Sequence, residues 1–411
     1  MAEQALEGLR IVDCGSFWSV PFCTAYLGWM GAEVIKVESI QNPDHLRFGA
    51  FPWDGPWWET TYYWLGANTN KLGLTLNLNS ARGKELFKEL VKRSDIVIEN
   101  YSARVMENFG LTYEVLSEVK PDIIMLRAPA YGTYGPWRDV PSFALALELC
   151  QGLAVLTGYP GDKPFFLGGA SDVIVGAHLI FIILTALEYR RRTGKGQLVD
   201  VSQMEVGASF LGQAIMDYSM NQREWGQRMG NRDPAMVPHN VYRCKGEGKL
   251  VAIAISSDDE WKAFCQAIGS PKWTQDERFS TTLERRKHED ELDKLIEEWA
   301  IKHNNYKVMD ILQKAGVAAG ALVDPFDTPD EPQFKERGFY EELTRDIIGT
   351  QLFSTWPIRM SKTSTKLSPP PTLGQHNEYV LGTILGLSKA EIEQLEKEKI
   401  IGTVPIAFAK E

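Results

Sequence analysis

The chain has 411 residues, enough for two or three domains with sizeable cores. Apolar residues make up 44% and charged residues 24%, ordinary values for a globular protein. The net charge of −10 speaks against a nucleic-acid partner, although a locally basic pocket can still hold a small anion.

The opening MAEQALEGLRIVD lacks a basic stretch followed by an apolar one, so no secretion signal is expected. Cys14, Cys23, Cys150, Cys244 and Cys265 show no C-x-x-C spacing and are expected as buried free thiols in a reducing, cytoplasmic setting. Arg10 to Asp13 reads as a strand, Pro21 to Met30 as a helix and Glu33 to Glu38 as a second strand, which makes a βαβ unit and a parallel sheet. Further strands are predicted at Leu74 to Leu78, Ile96 to Glu99, Ile123 to Arg127 and Gln197 to Val201. Helices are predicted at Ser80 to Arg93 and Tyr113 to Val119. The apolar run Val173 to Leu187 is expected to be a helix too short to span a bilayer, ending at Thr193-Gly194-Lys195-Gly196. Its His178 is expected to be a satisfied core residue, and no membrane association is expected. A helix over Met204 to Met220 follows.

The predicted domain division is 1–205 as a large Rossmann-like domain, 206–240 as a linker, 241–345 as a smaller α+β domain, and 346–411 as a return to the large domain. Within the second domain, strands are predicted at Val241 to Cys244 and Leu250 to Ile255, and helices at Asp259 to Ile268 and Asp290 to His303. Pro325, Pro329, Pro332 and the run Pro369 to Pro371 mark turns. A tail helix from Ser388 to Lys399 carries Ser388 as cap with Glu391 three residues on.

Three familiar chemistries find little support. The first turn reads DCGSFWSVPF rather than G-x-G-x-x-G, and Phe17 and Trp18 are too large for close approach of a pyrophosphate, so no NAD is expected. The six histidines are scattered, so no metal is expected. A G-x-S-x-G elbow is absent. That leaves Asp172, in GGASDVIVGAHLIFIILTALEYRRRTGKGQ. Either Ser171 or Asp172 suits the N-cap of the helix. Gly168, Gly169 and Ala170 also allow close approach of another group. A helix start would hold the carboxylate ionised, as a nucleophile requires.

The blocks LEGLRIVDCGSFWSVPFCTAYLGWMGAEVIKVES, ANTNKLGLTLNLNSARGKELFKELVKRSDIVIENY, AYGTYGPWRDVPSFALALELCQGLAVLTG and GASDVIVGAHLIFIILTALEYRRRTGKGQLVDVSQME resemble, in order, the family III CoA-transferases. GVAAGALVDPFDTPDEPQFKERGFY and PPPTLGQHNEYVLGTILGLS extend the resemblance nearly to the end. It implies that coenzyme A, carried as an acyl-CoA, is the substrate, and that Asp172 is the nucleophile. Asp172 would pass through a mixed anhydride and an aspartyl-CoA thioester. It implies a ring-shaped subunit in an interlocked dimer, as a homodimer or as a heteromer with a related chain. CoA contacts are implied at Trp18, Ser19, Lys71, Leu76, Asn79, Asn100, Tyr101, Ser102 and Arg104. Ser39 stands where several members carry an arginine. Trp18 and Ala144 stand where formyl-CoA transferase carries a glutamine and a glutamate, which speaks against formyl/oxalyl specificity, and with Phe143 they are expected in the substrate pocket.

Racemases of the family carry a histidine in a G-H-D stretch, and Ser142, Phe143 and Ala144 occupy those positions here, which favours a transferase. The segment FPWDGPWWETTYYW reads as an interface cluster or as a pocket for a bulky acyl group. Some members take succinyl-CoA as donor and activate arylsuccinates such as benzylsuccinate, and an aromatic or arylsuccinate acceptor is expected. Carnitine is the runner-up expectation for the acceptor. The alternatives are a 2-methylacyl-CoA racemase and a non-catalytic subunit of a heteromeric transferase.

Overall fold

A computed structural model describes residues 4–223 and 228–409. The chain begins β1 (Arg10–Asp13), α1 (Ser19–Trp29), β2 (Glu33–Glu38), α2 (Tyr62–Ala67), β3 (Lys71–Thr75), α3 (Ala81–Lys92), β4 (Ile96–Glu99), α4 (Arg104–Phe109), α5 (Tyr113–Val119) and β5 (Ile124–Arg127). There follow α6 (Ala144–Cys150), α7 (Leu153–Leu156), α8 (Ala170–Thr193), β6 (Gln197–Asp200), α9 (Gln203–Ser209) and α10 (Gly212–Asn221). Next come β7 (His239–Arg243), β8 (Leu250–Ala254), α11 (Asp258–Ala267), α12 (Thr282–Lys287), α13 (Glu289–Ala300), α14 (Asn305–Lys314) and β9 (Ala318–Ala321). The chain closes with α15 (Pro332–Glu336), the hairpin β10 (Tyr340–Arg345) and β11 (Gly349–Ser354), and α16 (Lys389–Lys397).

Two compact units result. One comprises 1–154, 166–223 and 335–411, and the other 155–165 and 224–334. The residues 206–223, read from the sequence as linker, are helical and belong to the first unit, as do 335–345. The single helix expected over 204–220 is two, interrupted at Phe210–Leu211 between Gly207 and Gly212, where glycine weakens the helix. The strand expected at 74–78 runs from Lys71 to Thr75, because the charged Lys71 is buried against a partner rather than exposed.

The first unit is built on a parallel sheet of order β3-β2-β1-β4-β5-β6. Val12 of β1 lies opposite Ile35 on one side and Val97 on the other. Alternate residues feed two cores. Val12, Ile35 and Val97 pack with Leu86, Phe87 and Leu90 of α3 and with Ile392 and Leu395 of α16. Ile11, Val34, Ile96 and Ile98 pack with Val20, Cys23 and Leu27 of α1 and with Val175, Leu179 and Ile183 of α8. The C-terminal tail is bound to the sheet edge. Thr75 Oγ1 donates to Gly402 O over 2.7 Å, and Thr75 N to Asn377 Oδ1 over 2.9 Å. Ser388 caps α16 in a reciprocal box with Glu391.

At 24 residues, α8 exceeds the length expected from its apolar run and is long and apolar enough to cross a membrane. Here one side of it lies in the second core, while Phe181 and Leu184 are exposed. His178 is half-buried rather than in the core, with Nδ1 at 2.9 Å from Ile174 O. Of the cysteines, Cys14, Cys23 and Cys244 are buried, but Cys150 is exposed and Cys265 half-buried, because each sits on a helix face that only partly meets a neighbour.

The second unit holds the antiparallel sheet β7-β8-β9. Its core joins Tyr242, Val251 and Ile253 to Trp261, Phe264, Leu292, Ile296 and Leu312, from helix positions three or four residues apart in α11 and α13 and from α14.

Candidate active site

In a parallel sheet with strands ordered β3-β2-β1-β4, ligands collect beyond the carboxyl ends of β1 and β4, where the chain direction diverges. A cavity of about 240 Å³ opens there, lined by Gly15, Ser16, Glu38, Asp44, Asn77, Asn79 and Tyr101 among others. The turn after β1 is held in place by polar side chains. Gly15 N donates to Asp13 Oδ1 over 2.8 Å, and Ser16 N to Asn100 Oδ1 over 2.7 Å. Asn100 Nδ2 returns to Ser16 O and to Ser19 Oγ. Phe17 sits at φ +60°, a region non-glycine residues seldom adopt, and its N–H donates to Asp44 Oδ1 over 3.1 Å.

Beneath this turn lies a buried ionic cluster. Lys36 Nζ donates to Gly15 O and pairs with Asp44 over 3.2 Å. Arg47 grips Glu38 through Nε (2.9 Å) and Nη2 (2.8 Å), reaches Glu59 over 2.8 Å, and lies 3.6 Å from the centre of the Trp64 ring. Arg345 also reaches Glu59. Lys71 donates to Asp13, Pro21 O and Asn68, each over 2.9 Å. Burial brings its ammonium down to about 8, against the opposing pull of Asp13.

Lys71, expected as a CoA contact, turns its ammonium inward. All three of its ammonium donors are taken inside the protein, and it is 4% exposed. Leu76, Asn79 and Tyr101 do line the cavity. Ser19 and Asn100 stand behind it, tying the turn together. Ser102 and Arg104 are exposed at the start of α4, whose Val105 and Phe109 line the cavity.

Asp172 lies where two helices begin. Both α1 and α8 run antiparallel to the strands, so both place their N-termini, with their partial positive charge, at this edge. They pack closely: a β-carbon on Gly176 of α8 would lie 2.8 Å from Ser19 O and from Phe22 Cδ1. Neither Ser171 nor Asp172 is the N-cap. That place is held by Gly169 at φ +92°, and Asp172 is the third residue of the helix. A β-carbon on Gly169 would meet the Trp18 ring at 3.4 Å and Asp172 Oδ2 at 3.6 Å. Gly169→Ala is therefore expected to cost about 1–2 kcal/mol from its left-handed backbone alone, measured by urea unfolding. The added methyl itself fits, at ordinary contact distance from Trp18 and Asp172, so the cost is in the backbone and not in a clash.

The half-buried Asp172 carboxylate accepts no hydrogen bond from the described residues. Burial, and then the charge of Glu148, raise it to about 6. The shift runs opposite to the lowering that a helix start exerts, because desolvation outweighs the dipole. Glu148, on α6, was missed from the sequence. It is 1% exposed, and the available signal was a lone carboxylate within the apolar ALALELC. Its oxygens accept from Leu167 N (2.8 Å), Gly169 N (3.1 Å) and Ser171 N (3.4 Å).

Aromatic side chains surround this point. Trp18 meets Tyr63 edge-on at 5.5 Å, and Phe17 meets Phe143 at 5.1 Å. Phe143 is exposed, and Ala144 follows it, half-buried, as the first residue of α6. The rest of FPWDGPWWETTYYW is divided. Trp64 is buried over Arg47, Trp57 and Trp58 pack on Phe408, and Phe51 is 94% exposed. Among the described residues no three His, Cys, Asp or Glu side chains are grouped to hold a metal ion.

Residues 6–377 match the family model described as CoA-transferase family III. The chain is 30% identical to succinyl-CoA–D-citramalate CoA-transferase of Chloroflexus aurantiacus, over 96% of this chain and 98% of that one. It is 32% identical to the alpha subunit of succinyl-CoA–L-malate CoA-transferase from Chloroflexus aurantiacus, over 96% and 92%. It is 27% identical to formyl-CoA:oxalate CoA-transferase of Rhodopseudomonas palustris, over 95% and 96%. A CAIB/BAIF family protein from Brucella suis has the same fold, with a TM-score of 0.84 at 28% identity, covering 93% of this chain and all of that one. The chain is an enzyme and belongs to family III of the CoA-transferases.

Proposed function

We propose that this enzyme moves CoA from succinyl-CoA to a substituted dicarboxylic acid bearing an aryl group, with Asp172 as nucleophile. The observation that carries the reading is the unpaired, half-buried carboxylate of Asp172 beside two helix N-termini and an aromatic wall. Raised to about 6, the carboxyl is still about tenfold more ionised than protonated at pH 7, and more nucleophilic than an ordinary aspartate.

CoA lies in the cavity along Ser16, Asn79 and Tyr101, and its acyl end passes Phe17 and Trp18 to reach Asp172. Arg104, exposed at the cavity's rim, offers a charge to a phosphate. Asp172 attacks the thioester carbonyl, the C–S bond breaks, and CoA leaves as thiolate with a mixed anhydride on Asp172. The thiolate attacks the aspartyl carbonyl and releases succinate, leaving an aspartyl-CoA thioester. The acceptor carboxylate attacks that thioester, and the returning thiolate takes the acceptor acyl group and frees Asp172. Each oxyanion forms beside the N-terminus of α1, because the N–H groups that open α8 are already donated to Glu148 and to Gly169 O.

Relatives named for citramalate and malate support a C4–C5 dicarboxylate acceptor. Trp18, Phe17, Phe143 and Tyr63 support an aryl substituent. The interlocked dimer, as homodimer or heteromer, draws support from α10, which buries no residue and exposes Ile215, Met216 and Met220. The free cysteines suit a cytoplasmic enzyme.

The test is to incubate the protein with succinyl-CoA, quench with hydroxylamine and map the modified peptide by mass spectrometry. A hydroxamate at Asp172 that requires the acyl-CoA is expected. No modification at Asp172 would overturn the nucleophile. Benzylsuccinate is expected to outcompete malate, citramalate and oxalate by kcat/KM, and oxalate turning over best would overturn the aryl pocket.

A further inference from the structure

In a capping box the side chain of a helix's third residue folds back onto the N–H of the N-cap. Asp172 is the third residue of α8, and the N-cap is Gly169. Here the Gly169 N–H is already donated, over 3.1 Å, to Glu148 Oε1. The same carboxylate also accepts from Leu167 N and Ser171 N. Every one of these contacts comes from an N–H donor, the pattern of an ionised carboxylate. Ser171 Oγ, buried and without a partner among the described residues, takes no part in capping.

We infer that Glu148 is a positioning residue: it occupies the backbone N–H groups at the start of α8, so that the Asp172 carboxylate stays unpaired and free to attack. This rests on the reading of Asp172 as nucleophile. The capping duty of one carboxylate has moved to another on a neighbouring helix. Without Glu148, the buried N–H groups of Gly169 and Ser171 and the part-buried N–H of Leu167 lose their acceptor, and Asp172, at the third position of the same helix with an oxygen 3.6 Å from where a β-carbon on Gly169 would stand, is a carboxylate placed to take them up. A carboxylate that takes up these bonds is both turned away and less nucleophilic.

Glu148 also acts on Asp172 through its charge. The other elements packed on α8 bring little competing charge. On α1, Cys23 and Tyr26 are held neutral by burial. On β5, Arg127 is paired with Glu99, and on α9, Glu205 is at the surface.

The experiment follows the first half-reaction, hydroxamate formation at Asp172 from succinyl-CoA, across pH 4.5 to 8 in the parent and in Glu148→Gln. Glutamine keeps the shape but removes the charge and half of the accepting capacity. The acid limb is expected to move down by about one unit, and the plateau rate to fall on the order of 10–100-fold. Affinity for CoA alone, whose cavity Glu148 does not line, should stay within about twofold, which separates positioning from general damage. A rate and acid limb unchanged from the parent would overturn the inference. Absence of label in the parent would instead overturn the nucleophile. If Glu148→Gln does not melt cooperatively, Glu148→Asp decides. It keeps the charge but withdraws the oxygens, so the acid limb should hold while the rate falls, and a parental rate would refute the role.

Discussion

Asp172→Asn is expected to yield a folded protein that binds CoA, forms no covalent adduct, and loses about a thousandfold or more in turnover. The replacement is isosteric, so the packing at the start of α8 is retained, and only the nucleophilic oxygen is lost. The same variant is expected to be more stable than the parent. Because burial and Glu148 raise the folded-state value of Asp172 to about 6, the folded state holds this proton more tightly than the unfolded chain does. The associated stability is therefore present in acid and lost as pH rises through 6. At pH 7.5 the ionised group carries the full penalty, and its removal should add about 1–2 kcal/mol after allowance for partial exposure. By pH 5 the gain should shrink to about half. Urea unfolding at the two pH values reads the difference directly, and an Asn variant less stable than the parent at pH 7.5 would contradict the assignment. A site that costs stability where it does chemistry is what the trade-off between activity and stability leads one to expect.

The larger stability effect is expected away from the chemistry. Arg47 is fully buried, and it is the only cation that Glu38 pairs with among the described residues. Arg47→Met should cost about 3–5 kcal/mol, because it leaves two buried carboxylates, Glu38 and Glu59, undercompensated while Trp64 loses its stacked guanidinium. The consequence reaches the site. Glu38 accepts from Asp44 N, and Asp44 holds the N–H of Phe17 in its left-handed conformation. Loss of order in that turn should raise the KM for acyl-CoA as well as lower the unfolding midpoint. Adding Glu38→Gln to Arg47→Met should recover part of the loss, since it removes one of the stranded charges. Additive costs in the double variant would show that the two side chains do not act as a pair.

The sheet was written in the sequence. RIVD, EVIKVE and IVIE are short apolar runs with polar ends, and a doubly covered parallel strand leaves that trace because both its faces are buried. The carboxylate at the head of α8 was also legible, since paired glycines before a long apolar helix mark a place where another group comes close. What each polar residue does was not legible. Lys71 reads as a surface or ligand-binding lysine, yet it is enclosed by Asp13, Pro21 and Asn68, which come from a strand, a helix and the end of another helix. Asp172 reads equally well as a cap or a nucleophile. Glu148, twenty-four residues earlier in the chain, takes the capping bonds and leaves it free. The aromatic segment reads as one cluster, and folding sends Trp64 to Arg47, Trp58 to Phe408 and Tyr63 to Trp18. Local hydrophobic period fixes where strands and helices form, because it is a property of neighbours in the chain. Which donor meets which acceptor is settled only when distant segments close on one another, since a buried polar group must take whatever partner the packed chain brings within reach.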